Sequence, residues 1–323
     1  MREVAFIKQN KQKWLDFEQA LFGKIKKTPD ELAQGYIHLM NDLSYAQTYY
    51  PKSKTTVYLN YLAAQIFQKI YKTKRTDRNQ LVQFFAIDIP LVLHEYRRYI
   101  GYAFILFFLF TAIGAVSAHY DLDFVRLILG DAYVNETLQN IKNGNPMAIY
   151  KTGSNWGMSI GITLNNMYVA LRCFIWGIFL GFGTFIVLLQ NCIMLGAFQY
   201  MFYREGVLLE SMRGIWIHGA MEIFAIIISA ASGFALGASV LFPKTFSRLN
   251  SFKIGFRNSL KICLSTMPFF LMAGILEGFV TRYALEMPLL LNLVIIFGTL
   301  SFISFYYLIY PYWIYKKSKA HQL

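Results

Sequence analysis

Beyond Tyr99 this chain is divided into apolar blocks of the length a bilayer demands, roughly 20 residues each. The blocks fall near residues 100–118, 167–189, 191–203, 214–242, 260–280 and 289–310. No soluble fold needs so many of them in series. The charged fraction is 15%, against about 25% in a typical soluble domain. The expected fold is therefore all-α: a polytopic bundle of about six spans following an N-terminal helical domain. The 191–203 block is short, so it is read either as a tilted span or as a re-entrant segment buried in protein.

The net charge of +13 invites a nucleic-acid reading, which the distribution rejects. Lysine and arginine lie almost entirely outside the apolar blocks, where they face lipid headgroups, and no zinc-finger or RNA-binding signature accompanies them. Cys173, Cys192 and Cys263 all sit inside apolar stretches and form no Cys-x-x-Cys pair. They read as small buried hydrophobes. Residues 1–27 are charged throughout, so no signal peptide is expected and the first apolar block acts as an uncleaved anchor.

Residues 1–98 read as a cytoplasmic helical domain. Trp14, Phe17, Leu21 and Ile25 form one apolar stripe at helical spacing. Thr28-Pro29-Asp30-Glu31 is a helix start: Thr28 caps, Pro29 suits the first position and Glu31 completes a capping box. Leu32, Tyr36, Leu39, Leu43 and Ala46 continue an apolar face, Pro51 punctuates, and a third helix spans 57–71. The polar run 72–78 ends it. An amphipathic stretch from Phe84 to Tyr99 leads into the membrane, with a kink or boundary at Pro90. The polar segment 119–165 reads as a long extracytoplasmic loop with a short helix near 124–129, and 316–323 as a cytoplasmic tail.

Orientation follows from counting basic residues. Residues 1–99 hold 16 lysines and arginines, 241–261 hold five, and the tail adds Lys316, Lys317 and Lys319. The 119–165 loop holds three, outnumbered by four acids. The sides alternate if 191–203 crosses, which puts both termini in the cytoplasm. A five-span count breaks the pattern.

Polar groups inside spans are the first candidates for chemistry, because burying them in lipid is costly. His218 and Glu222 share one helix face at a four-residue spacing, and Glu277 lies near the outer end of the fifth block. Asn165 and Asn166 open the second block, and Gln190 and Asn191 sit at the turn into the third. Arg172, in the first turns of the second block, is expected to snorkel to the outer interface. The functional reading of His218, Glu222 and Glu277 is a polar centre: a proton or ion relay, or a metal site. The bland reading is an interhelical hydrogen-bond cluster that fixes helix register. The His-x-x-x-Glu pair is not the two-histidine pattern of a zinc protease, so no catalytic residue, resident metal or cofactor is expected. Gly177 and Gly181, and Gly233 and Gly237, are small-residue pairs that let helices approach closely and would permit a homodimer.

Taken in order, several short motifs resemble the stage II sporulation protein M family. They are Trp14 in Lys13-Trp14-Leu15, Asp42-Leu43-Ser44-Tyr45-Ala46, Tyr58-Leu59-Asn60-Tyr61-Leu62 and Pro90. In the membrane part they are Asn165-Asn166, Gln190-Asn191, Gly196, His218-Gly219-Ala220-Met221-Glu222, Gly233, Gly237 and Glu277-Gly278. The resemblance implies a membrane scaffold that recruits peptidoglycan-remodelling proteins. It also maps the family's polar residues onto Asn165, Asn166, Asn191, His218, Glu222 and Glu277. The expected function is thus a non-enzymatic organiser of the bacterial inner membrane, with membrane lipids and cell-envelope proteins as partners. A transporter or channel built on the His/Glu centre is the competing expectation.

Overall fold

The computed structural model describes residues 2–21, 29–71, 79–148 and 155–320. These residues are helical with short connections and include no strand. They form two compact units, residues 1–79 and 80–323. The first unit thus ends at Asn79 rather than at 98. The basic, amphipathic stretch that follows is continuous with the first span, because nothing in it stops a helix.

The N-terminal unit has three helices: α1 (Glu3–Leu21), α2 (Pro29–Tyr49) and α3 (Lys54–Tyr71). Its core is Phe6, Trp14, Phe17, Leu39, Leu43, Ala46, Leu59, Leu62 and Ile66, so most of the apolar stripes read from the sequence face one another. Ile25, Thr28 and the run 72–78 lie outside the described residues. Three polar contacts fix the register of the helices. The Trp14 indole donates to Asp42 Oδ2 at 2.8 Å. The Tyr58 hydroxyl donates to Glu18 Oε2 at 2.7 Å, and burial with that carboxylate beside it holds the Tyr58 phenol well above its ordinary pKa. Glu3 accepts from Ser53 and Thr55.

The second unit begins with α4 (Gln80–Gln83), a π-helical turn (Phe84–Asp88) and α5 (Ile89–Tyr120), a run of 41 helical residues. Pro90 does not break it. Proline has no N–H to donate, and the helix widens into the π turn just before it. The Phe85 and Ala86 carbonyls accept instead from the Tyr306 hydroxyl at 2.9 Å and the Tyr310 hydroxyl at 3.0 Å. Tyr306 lies within, and Tyr310 directly after, a second π turn, Phe305–Ile309, between α13 (Leu289–Ser304) and α14 (Tyr310–Ala320). Pro311 stands in the same relation to that turn as Pro90 does to the first.

The expected loop at 119–165 is largely helical. It contains α6 (Leu122–Leu129) and α7 (Asp131–Lys142), which are joined by Gly130 at φ +84°. These two pack Val125 and Val134 onto Ala118, Ala197, Met201 and Phe202. The next helix, α8 (Asn155–Ile175), starts within the stretch read as loop.

The expected spans 167–189 and 191–203 also differ. The chain reverses at Trp176–Gly181, where Leu180 (φ 56°) and Gly181 (φ 84°) are left-handed. An unbroken 23-residue helix, α9 (Phe182–Arg204), follows. Residues 191–203 are its second half, neither short nor re-entrant. Hydropathy missed the reversal because residues 176–180 are as apolar as the helices they join. Then come α10 (Leu208–Leu241), and α11 (Arg248–Ser265) with α12 (Met267–Phe279) as one run interrupted at Thr266.

Five of these helical runs are long and apolar enough to cross a bilayer: 80–120, 182–204, 208–241, 248–279 and 289–320. Outside this set, α8 reaches about 31 Å at 1.5 Å per residue. It is less apolar than the five, and two of its polar side chains, Ser159 and Thr163, face inward. Ser159, Thr163, Ala170 and Cys173 are buried, while Trp156, Ile160, Leu164 and Tyr168 form an exposed stripe four residues apart. Arg172 lies in the last turn of α8 rather than the first. It sits over the Tyr168 and Trp176 rings at 5.7 and 5.9 Å, a cation–π contact.

Both predicted glycine pairs are used, and against each other. A Cβ on Gly177 would meet Gly233 Cα at 2.7 Å, and one on Gly237 would meet Gly181 Cα at the same distance. Gly233 leaves no room beside the Cys173 carbonyl and Thr184. Gly114 and Gly196 allow a similar approach of α5 to α9. Gly233→Ala should therefore cost about 1–3 kcal/mol by overpacking. Gly298→Ala in α13, where a new Cβ meets nothing within 4 Å, should be neutral or stabilising by up to about 1 kcal/mol. Thermal melting of the two variants in detergent should move them in opposite directions from wild type, or at least move only the first.

Candidate functional site

The site is built where α8, α9, α10 and α12 meet. On α10 the four-residue spacing puts His218 and Glu222 on one buried face. Below them Ser229, Gly233 and Gly237 continue the same face into the glycine seam. The seam holds α8 against α10 in parallel, which brings Asn166 beside Glu222. From α12, Glu277 reaches the same point, with its Oε1 3.7 Å from His218 Nε2. Gly274, one turn earlier on α12, admits Ser159 and Thr163 of α8, so the two helices close up around the acid.

His218, Glu222 and Glu277 are each more than nine-tenths buried. One ligand atom from each lies within 4.8 Å of the others. His218 Nδ1 is 2.9 Å from the Thr281 hydroxyl, and that hydroxyl donates to the Leu276 carbonyl at 3.3 Å. A hydroxyl that donates there accepts from the ring, so the pattern assigns the proton to Nδ1 and the lone pair to Nε2. Glu222 Oε1 and Glu277 Oε2 are buried without a hydrogen-bond partner among the described residues.

A cavity of about 440 Å³ adjoins this centre. Asn165, Asn166, Asn191, His218, Glu222 and Glu277 all line it. The six polar residues singled out in the sequence thus share one wall system, although they come from four helices. Asn165 and Asn166 lie in the middle of α8 rather than at the start of a span, and Asn191 lies mid-helix in α9, donating to the Val187 carbonyl at 2.7 Å. Gln190 is beside it rather than at a turn. Ile128 and Leu129 of α6 and Tyr133 of α7 close the cavity from the loop side. The remaining walls are apolar, including Phe107, Leu188, Leu195 and Ile223. A mostly apolar chamber with a few convergent polar groups is the usual form of a small-ligand site.

Sequence reasoning missed Thr281. It stands four residues after Glu277, so the spacing that linked His218 to Glu222 could have found it. It also missed Arg213, which donates to the Met287 carbonyl at 2.7 Å and to Asn292 Oδ1 at 3.1 Å. These bonds tie the start of α10 to the connection before α13. No pattern in the sequence pointed to that latch.

A sequence profile of the stage II sporulation protein M family matches residues 103–282, more than half of the chain. The chain belongs to the stage II sporulation protein M family. The match contains every residue of the polar centre and both glycine pairs, and stops short of α13. A second profile, a domain of unknown function (DUF8413), matches residues 4–72 in the N-terminal unit. Nothing among curated proteins and nothing among solved structures matches the chain.

Asn166→Ala removes the polar neighbour of the buried Glu222 carboxyl. The expected cost is about 1–3 kcal/mol, read as a lower melting temperature. Asn165→Ala lacks that contact and should melt closer to wild type.

Proposed function

We propose that this protein is a non-enzymatic organiser of the bacterial inner membrane, one that recruits cell-envelope partners such as peptidoglycan-remodelling proteins. The observation that carries this reading is the N-terminal unit. It has its own core, yet it leaves Ile37 and Met40 of α2 and Val57 and Tyr61 of α3 exposed. Large apolar side chains left bare outside a membrane bundle fit a docking surface. Family membership supports the same reading by analogy.

The basic residues supply the orientation. Six passes return the chain to its starting side. The basic N-terminal segment, the Lys244–Lys261 region and the tail lysines then share the cytoplasmic face, as the positive-inside rule requires. The α6–α7 pair would face the cell envelope. A homodimer, if formed, would use a surface other than the glycine seams, which are consumed within the chain.

In-cell crosslinking followed by purification of the full-length chain in mild detergent tests this reading. Stoichiometric partners are expected with wild type and should be lost with the paired substitution Val57→Glu and Tyr61→Glu. A wild-type chain that purifies alone would overturn it.

The cavity favours a second reading, a transporter or channel for a small solute or ion. The six polar groups around one chamber beside a broken α8–α9 hairpin resemble the midplane sites of transporters. Flux into liposomes holding the pure protein, abolished in Glu222→Gln, is the expected result. Equal flux in that variant and wild type would exclude a relay through this residue.

A further inference from the structure

We propose that His218, Glu222 and Glu277 hold a divalent first-row metal ion of the Zn²⁺ class inside the membrane bundle, with one coordination position open to the cavity. The inference concerns the polar centre alone and stands whether the chain recruits partners or moves solutes.

Charge is the first argument. Two carboxylates and an imidazole lie within 4.8 Å of one another, all buried. Two ionised carboxylates so close in a dry interior repel strongly, and each carries a desolvation penalty of several kcal/mol. A divalent cation between them makes the centre neutral.

The orientation of the donors is the second argument. Glu222 Oε1 and Glu277 Oε2 are buried with no hydrogen-bond partner, and both residues line the cavity. His218 Nε2 carries a lone pair and faces the Glu277 carboxylate at 3.7 Å. A cation between that nitrogen and the carboxylate would satisfy both. The other ring nitrogen donates to Thr281. That is the outer contact a metal-bound histidine makes, because it fixes the tautomer and the direction of the second ring nitrogen.

Reach is the third. Ligands at about 2.0–2.2 Å from a common ion lie up to about 4.4 Å apart. The present spacing closes with small side-chain rotations and no backbone movement. One nitrogen and two carboxylates suit Zn²⁺, Mn²⁺ or Fe²⁺ better than Mg²⁺ or Ca²⁺, which take oxygen alone. Three protein ligands leave a fourth position, and the cavity lies beside them, where water or a small anionic or carbonyl ligand would bind. The His-x-x-x-Glu spacing hid this in the sequence, since one helix supplies two ligands and the third arrives only through the packing of α12.

The test uses full-length protein in detergent, stripped with a chelator and titrated with ZnCl₂, followed by metal analysis and thermal melting. One equivalent of zinc should bind and raise the melting temperature. Glu277→Gln and Glu222→Gln should each abolish binding. Thr281→Val, which touches no ion directly, should weaken it by at least about tenfold. Glu205→Gln, at an exposed position, should bind as wild type does. Excess Mg²⁺ should not compete. Should the acid variants fail to fold, CoCl₂ added to the wild type gives an independent reading: visible d–d bands of a nitrogen- and oxygen-ligated ion, removed by Zn²⁺. Zinc content no higher than a detergent blank, undiminished binding in both acid variants, equal competition by Mg²⁺, or a wild type that gives no cobalt bands would each overturn the proposal.

Discussion

The contact on which this bundle depends is one of backbone on backbone. Gly177 and Gly181 at the α8–α9 turn lie against Gly233 and Gly237 of α10, at a distance that any side chain would prevent. Lipid tails supply little hydrophobic drive for helices to associate, so close van der Waals packing takes over that role. Once the turn is seated there, α8 must run alongside α10. Asn166 then falls opposite Glu222, and the cavity opens where the helices diverge above the seam.

Lipid outside the bundle lets apolar side chains face outward while some polar ones turn in. The α8 helix shows this best, with Trp156, Ile160, Leu164 and Tyr168 outward and Ser159 and Thr163 inward. That arrangement explains why a hydropathy reading undervalues it. A helix that lines a polar centre has to carry polar side chains, and its average then falls below that of neighbours that only face lipid.

Much of the fold and the site was legible in the sequence, for reasons specific to certain residues. The apolar stripes through Trp14, Leu39 and Leu43 predict their own burial, because helical periodicity leaves them one face. His218, Glu222 and Glu277 were legible because ionisable groups in apolar blocks have few reasons to be there. Their convergence with Asn191 was not, since it depends on how four helices cross. The turn at Leu180–Gly181 was hidden by its own apolar residues, and Asn165 was consequently assigned to the start of a span instead of its middle. Pro90 was noticed as a kink. What it produces is a widened turn whose freed carbonyls need donors from the other end of the chain.

That last arrangement bears on how the protein is made. The Phe85 and Ala86 carbonyls are synthesised 221 and 224 residues before the Tyr306 and Tyr310 hydroxyls that donate to them. During synthesis, water or headgroups must serve these carbonyls as temporary donors. The π turn before α5 therefore stays incompletely bonded until the π turn before α14 arrives, which couples the two turns during assembly of the bundle.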